Sequence, residues 1–285
     1  MPEPLEQYRI AGTLNLDRHP CLSDPATYPG FQQGYEAFKE LIVERVACRQ
    51  AWTLYKFGYG DYLFLNRRSE GSATVGLRAL SKSYEQIDHH LFVEGAGRCD
   101  AYACEILPDH VDCFREVFGR AMDFPAEYCY AAVASRWVFR TFPDAIGLIG
   151  ADRKMRLINR LADCEDYRRY LGIERFTDLV SVPQRFACDD LLATERQVAR
   201  QLENARARLF LVGIGHVKSG LLHRLKRYSD AVFLDVGQGI DALAGIIDTE
   251  KPFFGGWRNF SVEAPSLYAE LDYLSYVPYA FLHPD

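Results

Sequence analysis

The stretch that decides the fold runs Leu209-Phe210-Leu211-Val212-Gly213-Ile214-Gly215-His216. An apolar run leads here into a Gly-x-Gly turn, and we predict a helix over residues 217–227. A second apolar run, Ala231-Val232-Phe233-Leu234-Asp235, follows that helix. A strand, a glycine turn, a helix and another strand are typical of a βαβ unit, whose strands lie parallel in a sheet covered on both faces.

The same alternation extends through the rest of the chain. Short apolar runs predict further strands over residues 51–57, 101–106, 145–150 and 178–183. The intervening segments predict helices over residues 32–47, 84–97, 110–119, 126–142, 154–161 and 189–205. We therefore predict an α/β fold, a Rossmann-like and mostly parallel sheet flanked by helices, with ligand bound at the carboxyl ends of the strands.

Composition limits the classes of function. The 285 residues are 48% hydrophobic and carry a net charge of −6, with a pI near 5.7. An acidic chain lacks the excess of Lys and Arg that a nucleic-acid partner requires. The acidic start is unlike a secretory signal, and no apolar run reaches the roughly 20 residues of a membrane span, so we expect a cytoplasmic protein with no membrane span.

Three segments are expected along the chain. Residues 1–30 are rich in Pro, Asp and Gly and are predicted to be irregular, residues 31–260 form the α/β domain, and residues 261–285 form an aromatic closing segment with a helix near 265–276. That last segment is compatible with a homodimer. The eight cysteines contain no C-x-x-C pair and are interpreted as buried, reduced thiols.

The first turn with possible chemistry is Lys56-Phe57-Gly58-Tyr59-Gly60-Asp61, after the predicted strand 51–57. Gly58 and Gly60 allow the backbone to approach a ligand closely. Asp61 would then hold a divalent cation or a ribose, and Lys56 would offset phosphate charge. The alternative is an ordinary strand-to-helix turn in which Asp61 caps the helix.

The second turn contains Gly213 and Gly215 and opens a predicted helix. Free amides at a helix N-terminus attract phosphate, and Asp235 ends the next strand 20 residues after Gly215, as the acidic residue of a dinucleotide fingerprint does. The alternative is tight packing of strand against helix. Asp88 is a further candidate, because it could act as the base that deprotonates an acceptor hydroxyl. The alternative is that Asp88 simply belongs to a solvated helix face.

Both turns resemble those of the GT-D-fold bacterial glycosyltransferases. The family motif Arg-Phe-Gly-Asp-Gly-Glu aligns with residues 56–61, and the resemblance continues through Ala145-Ile146-Gly147-Leu148-Ile149-Gly150, Val182-Pro183-Gln184 and the runs around Gly213 and Asp235. It covers roughly residues 35–260. The resemblance implies a GT-D-type fold and transfer of a sugar from a nucleoside-diphosphate donor, often a UDP sugar, to a glycan or lipid-linked acceptor.

The chemistry of the residues and the resemblance together give individual residues their expected roles. Lys56, Gly58, Tyr59, Gly60, Gly213, Gly215 and Asp235 are expected to bind the donor, and Asp61 and Asp88 are expected to act in catalysis. The family holds Mn²⁺ or Mg²⁺ with an acidic pair, but here Tyr59 takes the first acidic position and only Asp61 remains. A single carboxylate holds such a cation weakly.

Three functions remain open from the sequence. The first is a glycosyltransferase, in which Lys56, Arg67 or Arg68 and the Gly213–Gly215 amides stabilise the leaving diphosphate. The second is an NAD- or S-adenosylmethionine-dependent Rossmann enzyme that uses Gly213, Gly215 and Asp235. The third is a non-catalytic nucleotide-sugar-binding protein.

Overall fold

A computed structural model describes residues 31–65, 87–183, 185–246, 254 and 257–269. The strands are β1 (Trp52–Phe57), β2 (Ala101–Cys104), β3 (Phe124–Pro125), β4 (Ile146–Ala151), β5 (Asp178–Val182), β6 (Leu209–Gly213) and β7 (Val232–Asp235). The helices are α1 (Phe31–Ala47), α2 (Tyr59–Leu65), α3 (His89–Ala96), α4 (Pro108–Phe118), α5 (Ala126–Ala134), α6 (Trp137–Thr141), α7 (Asp152–Leu161), α8 (Glu165–Leu171), α9 (Leu191–Leu202), α10 (Val217–Leu225), α11 (Gly239–Leu243) and α12 (Pro265–Ala269).

The seven strands form one sheet in the order β3-β2-β1-β7-β6-β4-β5, and every pairing is parallel. The predicted α/β Rossmann-like fold is therefore confirmed. β1 and β7 lie at the centre of the sheet, where Trp52 pairs with Val232 and Leu54 with Leu234. Because all strands run the same way, the ends of β1, β6 and β7 meet at one edge.

Burial on both faces explains why the strands read as continuous apolar runs. Every residue of β4, β6 and β7 is buried. Successive side chains point to opposite faces, so Leu211 joins the core on one side while Phe210 and Val212 join the core on the other. The rings of Phe210 and Phe233 stack across β6 and β7 with centroids 5.4 Å apart.

The prediction of one helix over residues 126–142 is wrong, because the helix is interrupted at residues 135 and 136, between α5 and α6. Arg136 adopts a left-handed backbone with φ 62°. Its guanidinium lies 4.5 Å from the ring centre of Tyr170 and donates a hydrogen bond of 3.1 Å to the Tyr170 carbonyl oxygen. This long-range contact accompanies a break that the local helical pattern did not reveal.

Several elements fall outside the predicted set. The short strand β3 and the charged helix α8 were not expected, while the predicted helix 84–97 is described only as α3, with residues 84–86 outside the described part. The predicted N-terminal segment 1–30 and residues 270–285 also lie outside it. Within the described ranges, none of the helices has the length and apolar character to cross a bilayer.

Candidate functional site at the carboxyl edge

The two turns singled out in the sequence meet at the centre of the sheet edge. Residue 58 follows β1 and α2 begins at Tyr59, while the Gly213–Gly215 turn follows β6 and leads to α10. The ammonium of Lys218, in the first turn of α10, joins them. Its Nζ lies 2.9 Å from Asp61 Oδ2, and it also donates to the carbonyl oxygen of Lys56.

Asp61 is held on both carboxylate oxygens. Oδ1 accepts from the Tyr55 hydroxyl at 2.8 Å, and Oδ2 accepts from the Gly58 amide at 3.0 Å in addition to Lys218. The bond to Gly58 is one half of a capping box, so the capping alternative describes part of its role. Burial alone would raise the pKa of Asp61, but the charge of Lys218, followed by that of Lys56, lowers it below its usual value.

Asp235 is similarly enclosed. It is 1% exposed, and its Oδ2 accepts from Lys218 Nζ at 2.6 Å and from the Lys56 amide at 3.1 Å. Its Oδ1 accepts from the Gly237 amide at 3.0 Å. These contacts leave no exposed carboxylate oxygen to accept from a ribose, and they tie the ends of β1 and β7 to α10.

A second buried network surrounds Lys56, and the sequence reasoning missed it. Lys56 Nζ donates to the Tyr130 hydroxyl at 2.9 Å, and this hydroxyl donates to Glu105 Oε1 at 2.9 Å. Glu105 Oε2 accepts from the Tyr59 amide at 3.1 Å and lies 3.0 Å from His110 Nδ1. Burial opposes ionisation, but the contact with His110 and the charge of Lys56 lower the pKa of Glu105 to about 2.

Glu127 lies in the same region as Glu105, but its pKa is shifted in the opposite direction. It is completely buried, and its Oε1 accepts from the Ile106 amide at 3.2 Å. Burial, followed by repulsion from the Glu105 carboxylate, raises its pKa to about 8. At neutral pH the protein therefore holds one ionised and one largely protonated glutamate near Lys56.

The two glycines of the second turn, Gly213 and Gly215, occupy positions with different structural requirements. A side chain on Gly213 would bring its Cβ within 2.5 Å of Ile240 Cγ1 and 2.7 Å of the Gly237 carbonyl oxygen, so close packing requires glycine there. Gly215 has φ +56° and faces open space, since a Cβ at this position would have no neighbouring atom within 4 Å. The packing alternative thus describes Gly213, while Gly215 is exposed at the start of α10.

Tyr59 and Gly60 open α2, two and one residues before the buried Asp61. Tyr59 is 50% exposed at the start of α2. Gly60 lies beside it, and a Cβ on Gly60 would be 3.0 Å from His216 Cε1. His216 packs on Phe64 with ring centroids 4.7 Å apart, and burial lowers its pKa to about 4, so it is neutral at pH 7.

Asp88 has a different setting. It is exposed and precedes α3, where its carboxylate accepts from the amides of His90 and Leu91. N-terminal capping accounts for these contacts. The catalytic role of Asp88 stays a prediction, while Arg67 and Arg68 lie outside the described residues.

The residues at Asp61 do not fit a divalent cation. Both carboxylate oxygens already accept hydrogen bonds, and the Lys218 ammonium occupies the side where a cation would bind and would repel it. Within the described part of the chain, no group of three His, Cys, Asp or Glu side chains has a metal-binding arrangement. The expected Mn²⁺ or Mg²⁺ is therefore not assigned to Asp61.

The parallel sheet and the side chains at its carboxyl edge define an α/β protein of Rossmann-like architecture with a candidate ligand site at the ends of β1, β6 and β7. No protein-family model matches the chain, and no curated protein matches its sequence. Among solved structures, it is similar to a new glycosyltransferase (DUF1792) from Streptococcus sanguinis, with a TM-score of 0.46 and 12% identity over 81% of this chain and 95% of that chain. It is also similar to a selenomethionine-substituted domain of unknown function 1792, with a TM-score of 0.42 and 10% identity over 94% and 98% of the two chains.

Proposed function

We propose that this protein transfers a sugar from a nucleoside-diphosphate donor, UDP being the expected nucleotide, to a glycan or lipid-linked acceptor. One observation carries the proposal: two glycine turns far apart in the sequence meet at the carboxyl edge of the central strands and are joined by the buried Lys218. Open α/β sheets bind ligands at this edge.

The charged side chains at the carboxyl edge of the sheet indicate which groups would hold the diphosphate. Lys56 and Lys218 are buried with three carboxylates, those of Asp61, Asp235 and Glu105, so the positive charge of the lysines is offset inside the protein. Among the described residues, the exposed Gly215 lies at the start of α10, where backbone amides and the helix dipole favour an anion. We therefore assign the diphosphate to the Gly215 turn.

Catalysis would depend on stabilising the charge that develops on the leaving diphosphate. Fixed amides cost little reorganisation when that charge appears, which is the principle of electrostatic preorganisation. Asp61 and Asp235 act in this proposal as positioning residues, because they hold Lys218 and thereby fix α10 against β1 and β7. The proposal requires no metal.

A pair of variants at Gly215 tests the assigned position. Asn and Asp both tolerate a left-handed backbone and have nearly the same shape, and Gly215 has open space around it. Gly215→Asp places a negative charge where the diphosphate is expected and should abolish donor binding, whereas Gly215→Asn should retain it. Equal binding by the two variants would exclude this turn as the phosphate site.

The reaction class is tested with a thermal-shift panel of nucleotide sugars, each with and without Mn²⁺, with NAD and S-adenosylmethionine as controls. A ligand at 100 times its Kd stabilises the folded state by about 2.7 kcal/mol. Stabilisation by a nucleotide sugar, followed by its turnover with an acceptor, supports the proposal. Stabilisation by a control cofactor alone would favour the dehydrogenase or methyltransferase alternative, and binding without turnover would favour a non-catalytic protein.

A further inference from the structure

Tyr59 is an exposed aromatic side chain at the start of α2. Four large hydrophobic residues of the described chain are exposed, and Tyr59 is the aromatic one among them. Its amide is fixed by the bond to Glu105 Oε2 at 3.1 Å. An aromatic ring that is held in place yet half exposed is suited to bind a ligand, because little conformational entropy is lost on contact.

Two further rings support Tyr59 from the protein side. The Tyr59 ring lies against His110 with centroids 6.0 Å apart and planes at 25°. Tyr62, one helical turn further along α2, lies against the same His110 at 4.9 Å and 25°. His110 is 4% exposed and lies beside Glu105, so the ring assembly of Tyr59, Tyr62 and His110 is anchored in the core.

The position of the assembly indicates what it would bind. Gly60 separates Tyr59 from His216, the residue before α10, and a Cβ on Gly60 would be 3.0 Å from His216 Cε1. The backbone that carries Tyr59 is thus next to the turn proposed to bind the diphosphate, while the Tyr59 ring itself lies on the His110 side of α2. A nucleotide bound there by its phosphates has a flat aromatic base within reach of an aromatic side chain.

We propose that Tyr59, supported by His110 and Tyr62, is the stacking surface for the base of the nucleotide donor. This inference rests on the proposed function and adds the means by which the nucleotide is recognised. Every nucleobase has a flat π-face, so stacking gives affinity with little discrimination among bases. Specificity for one base would then come from groups around its edge.

The experiment compares the wild type, Tyr59→Ala and Tyr59→Phe by isothermal titration calorimetry, with UDP, UDP-glucose, ADP, GDP and pyrophosphate as ligands. Removing a stacking ring should weaken nucleoside-diphosphate binding about tenfold, whereas Phe keeps the ring and should stay within about twofold of the wild type. Pyrophosphate lacks a base, so its affinity should be the same for all three proteins. Val43→Ala, at an exposed site on α1, serves as the matched surface control.

Three results would overturn the inference, and they differ from one another. Wild-type protein that binds pyrophosphate and UDP, while Tyr59→Ala binds UDP equally well, would exclude base stacking and leave the proposed function intact. A loss of UDP-glucose affinity in Tyr59→Ala without a loss of UDP affinity would assign the ring to the sugar. Wild-type protein that binds no nucleoside diphosphate would reject the proposed function together with the stacking surface.

Discussion

Replacing Lys218 by Met should destabilise the protein far more than the loss of an ordinary surface charge. The ammonium is 4% exposed and bridges Asp61 and Asp235 at 2.9 and 2.6 Å. Met has a similar length but no charge, so two buried carboxylates would face each other without a cation between them. Removing one partner of a buried ion pair typically costs about 3–5 kcal/mol.

The loss is measured by urea unfolding at pH 7, followed by circular dichroism. At roughly 2 °C per kcal/mol for a chain of this size, the melting temperature should also fall by roughly 6–10 °C. Lys226→Met is the matched control, because Lys226 pairs with Asp100 at a partly exposed position and such pairs contribute about 0–1 kcal/mol. A cost for Lys218→Met that equals the cost for the control would refute the reasoning.

The pH dependence gives an independent check on the cause. In the wild type the pKa of Asp61 is lowered by Lys218, so this carboxylate adds stability above its unfolded pKa of about 3.9 and keeps that contribution throughout the range from pH 7 to pH 4.5. Without Lys218 the buried Asp61 loses the main charge that lowers its pKa, so in the variant it takes up a proton at a higher pH and the variant regains stability as the pH falls. The stability difference between wild type and variant should therefore shrink between pH 7 and pH 4.5, and a difference that stays constant would point to lost packing instead.

Three further outcomes follow from the same region. Glu127 has a folded pKa of about 8, so the wild type should lose stability as the pH rises from about 4.5 toward 8. Glu127→Gln should remove this fall in melting temperature with pH, whereas the control Glu36→Gln at the surface should preserve it. Gly58→Ala would place a methyl 2.7 Å from Lys56 Nζ and 2.8 Å from Glu105 Oε1 and should cost about 1–3 kcal/mol in urea unfolding. A neutral effect would show that both buried side chains can shift to make room. Donor binding should be equal after dialysis against EDTA and after addition of Mn²⁺, because both oxygens of Asp61 are occupied; a metal requirement in calorimetry would contradict this.

Most of the sheet was predictable from the sequence, because every strand except β3 lies in a short, mainly apolar run. The apolar run that begins at Leu209 and leads into the Gly213–Gly215 turn is β6, Leu209–Gly213, and the other predicted strands overlap observed ones. The break at Arg136 was not predictable, since it is accompanied by contacts with Tyr170 on a distant helix. The helical pattern of residues 126–142 contains no local signal, such as Pro or Gly, for that break.

The candidate site was predictable in position but not in its internal pairing. Both glycine turns were identified, yet the partners of Asp61 and Asp235 depend on Lys218, which the sequence analysis passed over. A lysine in the first turn of a helix opposes the helix dipole, and this is the signal that could have marked it. Similarly, Glu127 in the otherwise apolar segment Ala126-Glu127-Tyr128-Cys129-Tyr130 indicates a buried carboxyl group.

The bridge made by Lys218 has a consequence for how the protein can evolve. The strands β3, β2 and β1 come from the first 125 residues, and the strands on the other side of the sheet come from residues after 145. Lys218 belongs to the later half but bonds Asp61 and the Lys56 carbonyl of the earlier half. Recombination with a relative that exchanged either half alone would separate charges that must be inherited together. Substitutions at this edge that change ligand preference would therefore also change the stability of the contact between the two halves of the sheet.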